Sequence, residues 1–172
     1  NYFGPLKAGA RVVHLSPIDG EIALSHKLSD SGARILITSN LSALLPTALK
    51  FLNKGLLDRL IVCEDDHWGK VGTPQTALPD NAKIITYTKF TDGAAKPASW
   101  PSMSADDVAL LQYTGGTTGL PKGAMLSHGN LTSAVSFYDV WGKPARAERR
   151  NAIERVICVL PLFHIYALTV VL

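Results

Sequence analysis

The residues best equipped for chemistry lie together in Tyr113-Thr-Gly-Gly-Thr-Thr-Gly-Leu-Pro-Lys-Gly123. Three glycines within five residues, Gly115, Gly116 and Gly119, let the backbone reach positive φ and approach a bulky anion closely. Free backbone N–H groups in such a stretch can converge on phosphate oxygens as an anion nest. Thr114, Thr117 and Thr118 add hydroxyls that can donate to phosphate or ligate Mg²⁺. Lys122 contributes a compact charge suited to a polyphosphate. Together they describe a nucleotide-phosphate loop.

The common Walker-type loop is excluded. It requires Gly-Lys-Ser/Thr at its end and a helix directly after it. Counted from Gly116, the second required glycine is Pro121, and the residue after Lys122 is Gly123. The bland alternative is a glycine-rich hairpin turn. Such a turn has no need for three threonines and a Pro-Lys-Gly close.

Strands and helices must position this loop. Arg11–Leu15 reads as a short strand. Asp19 is placed to cap a helix over about 20–30, which Gly32 would end in the left-handed conformation. Arg34-Ile-Leu-Ile-Thr38 is a continuous apolar run, the pattern of a strand covered on both faces. Leu41–Leu52 reads as a helix with a late start or a break at Pro46, closing near Gly55. Arg59–Cys63 and Lys83–Tyr87 are further strand candidates, so the first half has the alternation of βαβ units and a mostly parallel sheet. From Thr88 to Ser104 the composition turns to Pro, Ala, Ser, Gly and Lys, a surface connection. Ser104–Asp107 reads as a turn, Val108–Tyr113 as the strand feeding the loop, and Ala124–Ser127 as a return strand. His128–Trp141 carries Leu131, Ala134, Val135, Tyr138 and Trp141 at helical spacing. A last apolar strand, Val156–Leu160, leads into Pro161-Leu-Phe-His-Ile-Tyr166. The expected organisation is a βαβ portion over 1–87, a linker over 88–104 and a loop-bearing portion over 105–172.

The 172 residues carry a net charge of +3, with 47% hydrophobic and 18% charged residues. These are the proportions of an ordinary globular protein, and the charge is too small to argue for nucleic acid. Arg146, Arg149, Arg150 and Arg155 form a short basic cluster, read as a solvated face. Cys63 and Cys158 have no metal or redox spacing and read as small buried hydrophobes in a reducing, cytoplasmic setting. No run approaches the roughly 18 apolar residues that span a bilayer. The chain opens without methionine and closes in the apolar run Leu168–Leu172, so an internal piece of a larger domain is expected.

The run Tyr113–Gly123 is similar to the phosphate-binding signature of the adenylate-forming superfamily, which includes acyl- and aryl-CoA synthetases, firefly luciferase and peptide-synthetase adenylation domains. The commoner form has Ser where this chain has Gly115. The Gly-Gly variant, followed by Ala124-Met-Leu-Ser-His128 and Asn130-Leu131, most resembles bacterial long-chain fatty-acyl-CoA synthetases. Ala8-Gly-Ala10, Leu28-Ser-Asp-Ser-Gly-Ala33 and Leu160-Pro-Leu-Phe-His-Ile-Tyr-Ala-Leu168 resemble the family's neighbouring segments. The resemblance is weak at Glu64–Thr88 and Trp141–Arg155.

That resemblance implies an α/β fold, part of the large N-terminal domain of an AMP-forming acid–thiol ligase. The cofactors and co-substrates it implies are ATP, Mg²⁺ and CoA. Thr114, Gly115, Gly116, Thr117, Thr118 and Gly119 would cradle the β- and γ-phosphates, Lys122 would offset their charge, and Thr114 would lie near Mg²⁺. Taken alone, a His after an apolar strand is more often structural than catalytic. The matching segment makes His164 a pocket-lining donor or gate, and so the second catalytic candidate after Lys122. Phe163 and Tyr166 are read equally as pocket or core; His14, His26, His67 and His128 have no comparable setting. A fatty-acid substrate is compatible with peripheral membrane contact. The alternatives are a dicarboxylate- or aryl-CoA ligase, a carrier-protein acyl ligase, and a non-catalytic nucleotide-binding module.

Overall fold

The computed structural model describes residues 2–69, 72–115, 119–148, 157 and 159–171. The order of elements is α1 (Phe3–Lys7), β1 (Val12–Val13), α2 (Glu21–Ser31), β2 (Ile35–Ser39), α3 (Leu45–Asn53), β3 (Arg59–Cys63), α4 (Asp65–Trp68), β4 (Ile84–Thr86), α5 (Tyr87–Thr91), β5 (Val108–Thr114), β6 (Lys122–Ser127), α6 (His128–Glu148) and α7 (Ile165–Val171). The fold is α/β, as the alternation of patterns predicts. It resolves into two compact units. One comprises Pro17–Trp100 with Gly115–Pro121; the other comprises Tyr2–Ser16, Pro101–Thr114 and Lys122–Leu172.

The first unit is built on the parallel sheet β2-β3-β4. Its central strand is β3, where Leu60, Ile61 and Val62 are buried on both faces. The run Arg34–Thr38, expected to be covered on both faces, instead forms the edge strand β2 and leaves Ile35 61% exposed. An edge strand has a neighbour on one side only, so apolarity alone did not fix its position. Pro46 occupies the first turn of α3, where its missing N–H costs nothing, which accounts for the late start. From there Leu45, Ala48, Phe51 and Leu52 form the buried stripe.

Helix ends in this unit differ in how they agree with the sequence. Gly32 ends α2 at φ 66°, the left-handed conformation expected of it, and Gly55 follows α3, closing the helix where expected, at φ 73°. Asp19 does not cap α2. The cap position is Gly20, without a side-chain hydrogen bond, and the Asp19 carboxylate pairs with the buried ammonium of Lys27. A buried ammonium needs an anionic partner more than an exposed helix end needs a cap. The surface connection begins with the short helix α5, capped by the Thr86 hydroxyl accepting from Lys89 N–H. Every residue from 88 to 107 is exposed.

The second unit is built on the sheet β1-β5-β6, with β1 parallel and β6 antiparallel to the central β5. Val12 and Val13 therefore pair with Leu110 and Leu111, and the first strand leaves the βαβ portion to which its position in sequence assigned it. Parallel pairing is a long-range choice that local periodicity does not encode. The far end of β6 is fixed by reciprocal hydrogen bonds, Asn130 N–H to the Ser127 hydroxyl at 3.2 Å and Ser127 N–H to the Asn130 carboxamide oxygen at 3.0 Å. This is the arrangement of a capping box with Asn in the Glu/Gln position, and it starts α6. The turn before β5 docks there too, with Gly129 N–H bonded to Ala105 C=O at 2.7 Å. A Cβ on Gly129 would meet that oxygen at 3.0 Å.

The spacing on α6 is helical as expected, but the burial is not. Leu131 and Ala134 are half-buried, whereas Val135, Tyr138 and Trp141 are exposed. The strand expected at Val156–Leu160 is not formed at Ile157, Val159 or Leu160, which are exposed; Val156 and Cys158 lie outside the described residues. Cys63 ends β3 half-buried.

Candidate functional site

The phosphate signature folds as strand, loop and strand. β5 enters and β6 leaves antiparallel, with Thr114 opposite Lys122, Tyr113 opposite Gly123 and Gln112 opposite Ala124. No helix follows the loop, which is the structural counterpart of the failed Walker pattern. The ladder also shortens the loop that the sequence suggests. Lys122 and Gly123 belong to β6, so the lysine is carried on a hydrogen-bonded strand. Thr114 and Lys122 are both exposed, with the Thr114 hydroxyl 3.5 Å from Lys122 C=O. A hydroxyl and an ammonium thus stand at the loop end of one antiparallel pair, available to an anionic ligand.

Gly123 is required by its neighbour. The Tyr113 ring is buried and crosses β6 at this position, and a Cβ on Gly123 would lie 3.1 Å from its Cζ. The last glycine of the motif therefore gives the tyrosine room, a role distinct from the one expected of Gly115, Gly116 and Gly119. Gly115 follows β5, exposed, and Gly119 sits at φ 108°, a backbone value that favours glycine. Gly116, Thr117 and Thr118 lie outside the described residues. In the first unit, Pro121 C=O lies 2.9 Å from His26 Nε2 on α2, so that nitrogen carries the proton and donates. Nothing in the local pattern around His26 signals a partner 95 residues away.

His164 sits in the turn before α7. Its backbone N–H bonds Pro161 C=O at 3.0 Å, and its C=O accepts from Leu168 N–H at 3.0 Å. The side chain is exposed and its ring lies 4.6 Å from that of Phe163. Tyr166 is 56% exposed and packs edge-on against Tyr138 at 6.1 Å, so it is not a core residue here. Phe163 is half-buried. Its carbonyl accepts a 3.2 Å hydrogen bond from Gln112 Nε2 on β5.

Beside Gln112 lies His14, just after β1. Burial lowers its pKa below the ordinary 6.5, opposed in part by polar contacts with the Gln112 side chain and the Phe163 backbone. Tyr2 packs on it with ring centroids 5.4 Å apart. Three buried polar atoms of this group, Tyr2 Oη, His14 Nδ1 and Gln112 Oε1, have no hydrogen-bond partner among the described residues. The one sequence signal for the group was Gln112 itself, a lone amide in the otherwise apolar Val108–Tyr113 run.

Among the described residues no three His, Cys, Asp or Glu side chains gather to hold a metal, and no helix is long and apolar enough to cross a membrane. The exposed Thr114 hydroxyl is the kind of hard oxygen donor that suits a cation such as Mg²⁺.

Two outcomes are expected from this geometry. Gly123→Ala forces the buried Tyr113 ring aside and lowers stability by about 1–3 kcal/mol, the usual cost of overpacking, whereas Gly115→Ala, with open space at its Cβ, changes the denaturation midpoint far less. Equal midpoints for the two variants would remove the role assigned to Gly123. His14 supplies the second. As pH falls through 6.5 the unfolded chain takes up a proton that the folded chain resists, so this contribution to stability is lost on acidification. Between about pH 8 and about pH 5.5, the native protein should lose more stability than His14→Gln. Parallel profiles would contradict it.

Comparison with known proteins agrees with this architecture. A model of the AMP-binding enzyme family matches residues 1–172. The long-chain-fatty-acid–CoA ligase of Bacillus subtilis (strain 168) is 29% identical over 187 aligned residues, covering 100% of this chain and 32% of that protein. The long-chain-fatty-acid–CoA ligase of Yersinia pestis is 36% identical over 188, covering 98% and 31%. Among solved structures, ATP-bound MatB from Rhodopseudomonas palustris superposes with a TM-score of 0.67 at 25% identity, over 99% of this chain and 29% of that one. The chain spans about a third of the length of the curated relatives it matches. With a family model matching from end to end, the chain belongs to the AMP-binding enzyme family.

Proposed function

We propose that this chain is part of the large N-terminal domain of an ATP-dependent acyl-activating enzyme that converts a carboxylic acid, most plainly a long-chain fatty acid, to an acyl-adenylate and then to its CoA thioester. The activity is assigned to a protein of the relatives' length, of which these residues form about a third. The observation that carries the reading is the β5–β6 pair, which holds Thr114 opposite Lys122 at the two ends of a Gly- and Thr-rich loop. The fatty-acid assignment is supported by relatives that are themselves long-chain-fatty-acid–CoA ligases.

In the first half-reaction a carboxylate oxygen attacks the α-phosphorus of ATP. The bond from that phosphorus to the bridging oxygen breaks, and pyrophosphate leaves. Two anions must approach, and the charge must be offset where it develops. Lys122 supplies a fixed ammonium, and the loop residues Gly115 to Gly119 would supply N–H donors to the β- and γ-phosphates. Mg²⁺, when bound near the Thr114 hydroxyl, would neutralise phosphate charge alongside the lysine. In the second half-reaction the CoA sulfur attacks the acyl carbon, and AMP leaves with the bonding electrons.

His164, exposed and leaning on Phe163, serves as a donor lining the acid pocket rather than as a general base. Its backbone is committed to the turn, and among the described residues no acidic side chain pairs with its ring. Any contact with a membrane would be peripheral, through the acyl substrate.

The test is pyrophosphate release by the full-length protein with ATP, Mg²⁺ and a panel of acids: fatty acids of graded length, an aromatic acid and a dicarboxylic acid. Long-chain fatty acids should give the highest kcat/KM, and CoA should speed AMP release. A preference for the aromatic or dicarboxylic acid would move the chain to those ligases. No pyrophosphate with any acid would remove the enzymatic reading and leave a nucleotide-binding module.

A further inference from the structure

We propose that Gln112 is a positioning residue for the carboxylic acid: its amide fixes the His164 turn onto the same face of the β5–β6 hairpin that presents Thr114. The inference deepens the adenylating reading and rests on it.

Three features support the assignment. The first is register. Gln112 and Thr114 are two residues apart on β5, and the strand irregularity lies further back, between Val108 and Leu110. They therefore share a face, about 7 Å apart along the strand. Alternation places Tyr113 on the opposite face, where it is buried against Gly123.

The second is direction of bonding. Gln112 Nε2 donates to Phe163 C=O at 3.2 Å, across 51 residues of sequence. Rotating the amide by half a turn would bring Oε1 against that carbonyl, two acceptors facing each other, so one orientation is strongly preferred. The bonded carbonyl belongs to the residue directly before His164, and the turn is closed by His164 N–H to Pro161 C=O at 3.0 Å. Shifting the Gln112 contact shifts the backbone that carries the imidazole.

The third is cost. Gln112 Oε1 is buried and, with His14 Nδ1 and Tyr2 Oη, has no partner among the described residues. Leucine would fill this space without leaving a buried acceptor unpaired. An amide here is explained by the bond it makes to the His164 turn. His14 lies beside that bond, with polar contacts to both the Gln112 side chain and the Phe163 backbone.

The acid must meet the α-phosphate at bonding distance, so the spacing between phosphate donors and acid pocket matters to sub-ångström tolerance. Gln112 makes the side-chain hydrogen bond that ties the Thr114 strand to the His164 turn.

The experiment is steady-state kinetics on the full-length protein, comparing native enzyme, Gln112→Leu and Gln112→Glu. Gln112→Leu should raise KM for the acid about tenfold, the effect of one lost hydrogen bond, and leave KM for ATP within about twofold. Gln112→Glu should bind acid poorly at neutral pH, where a carboxylate faces the Phe163 carbonyl. It should recover as pH is lowered and the carboxyl regains a proton to donate, a trend the native enzyme lacks. Should Gln112→Leu fail to fold, the pH profile of Gln112→Glu decides. KM values for acid and ATP that rise together, or an acid KM unchanged in both variants, would overturn the proposal while leaving adenylation intact. A native enzyme that activates no acid would instead overturn the adenylating reading, and this proposal with it.

Discussion

The antiparallel register of β5 and β6 is the constraint on which the site depends. It sets Thr114 opposite Lys122 and, one step back, lays the Tyr113 ring across Gly123. A slip of one residue would turn Thr114 to the other face and drive the tyrosine against a side chain. The register is held away from the loop as well. Buried Ala109 and Leu110 anchor β5 as the central strand between β1 and β6, and the Ser127–Asn130 reciprocal bonds fix where β6 ends and α6 begins. A lysine on a floating loop would have to be ordered when ligand binds; a lysine on a paired strand has much of that backbone entropy already removed.

Local chemistry was legible in the sequence wherever one residue's conformation settled the matter. Gly32 and Gly55 ended their helices, Pro46 delayed α3, and Arg59–Cys63 was a strand to the residue. Pro121 with Gly123 separated the Gly- and Thr-rich stretch from the Walker type, and a strand, β6, follows it rather than a helix. Pairings between distant residues were not legible. Periodicity does not reveal that β1 would join β5, that Arg34–Thr38 would form an edge, or that Asp19 would abandon the helix end for buried Lys27. The cluster around Gln112 was hidden for the same reason. His14 and Phe163 are ordinary residues in their own stretches and acquire meaning only when the β1–β5 pairing and the α7 turn bring them together.

Glycine and glutamine illustrate two kinds of constraint within one motif. Gly119 is set by backbone conformation, Gly123 by the bulk of a neighbouring ring, and neither purpose can be told from the letter alone. Gln112 is a polar residue in a buried strand, a choice that carries a desolvation penalty unless a specific bond offsets it. Its hydrogen bond to Phe163 C=O runs to the turn presenting His164, so the strand that ends at Thr114 also bears on the acid side of the proposed reaction.

The central claim is that Lys122 acts on the phosphates that depart in the first half-reaction. It is tested by separating that step from recognition of what the step produces. In the full-length protein, Lys122→Ala should slow single-turnover formation of acyl-adenylate by about 10²-fold, the scale of losing one preorganised charge partner of the transition state. Binding of a non-hydrolysable acyl-adenylate analogue, which lacks the β- and γ-phosphates, should change by no more than about threefold. Equal losses in both measurements, or none in either, would contradict the account.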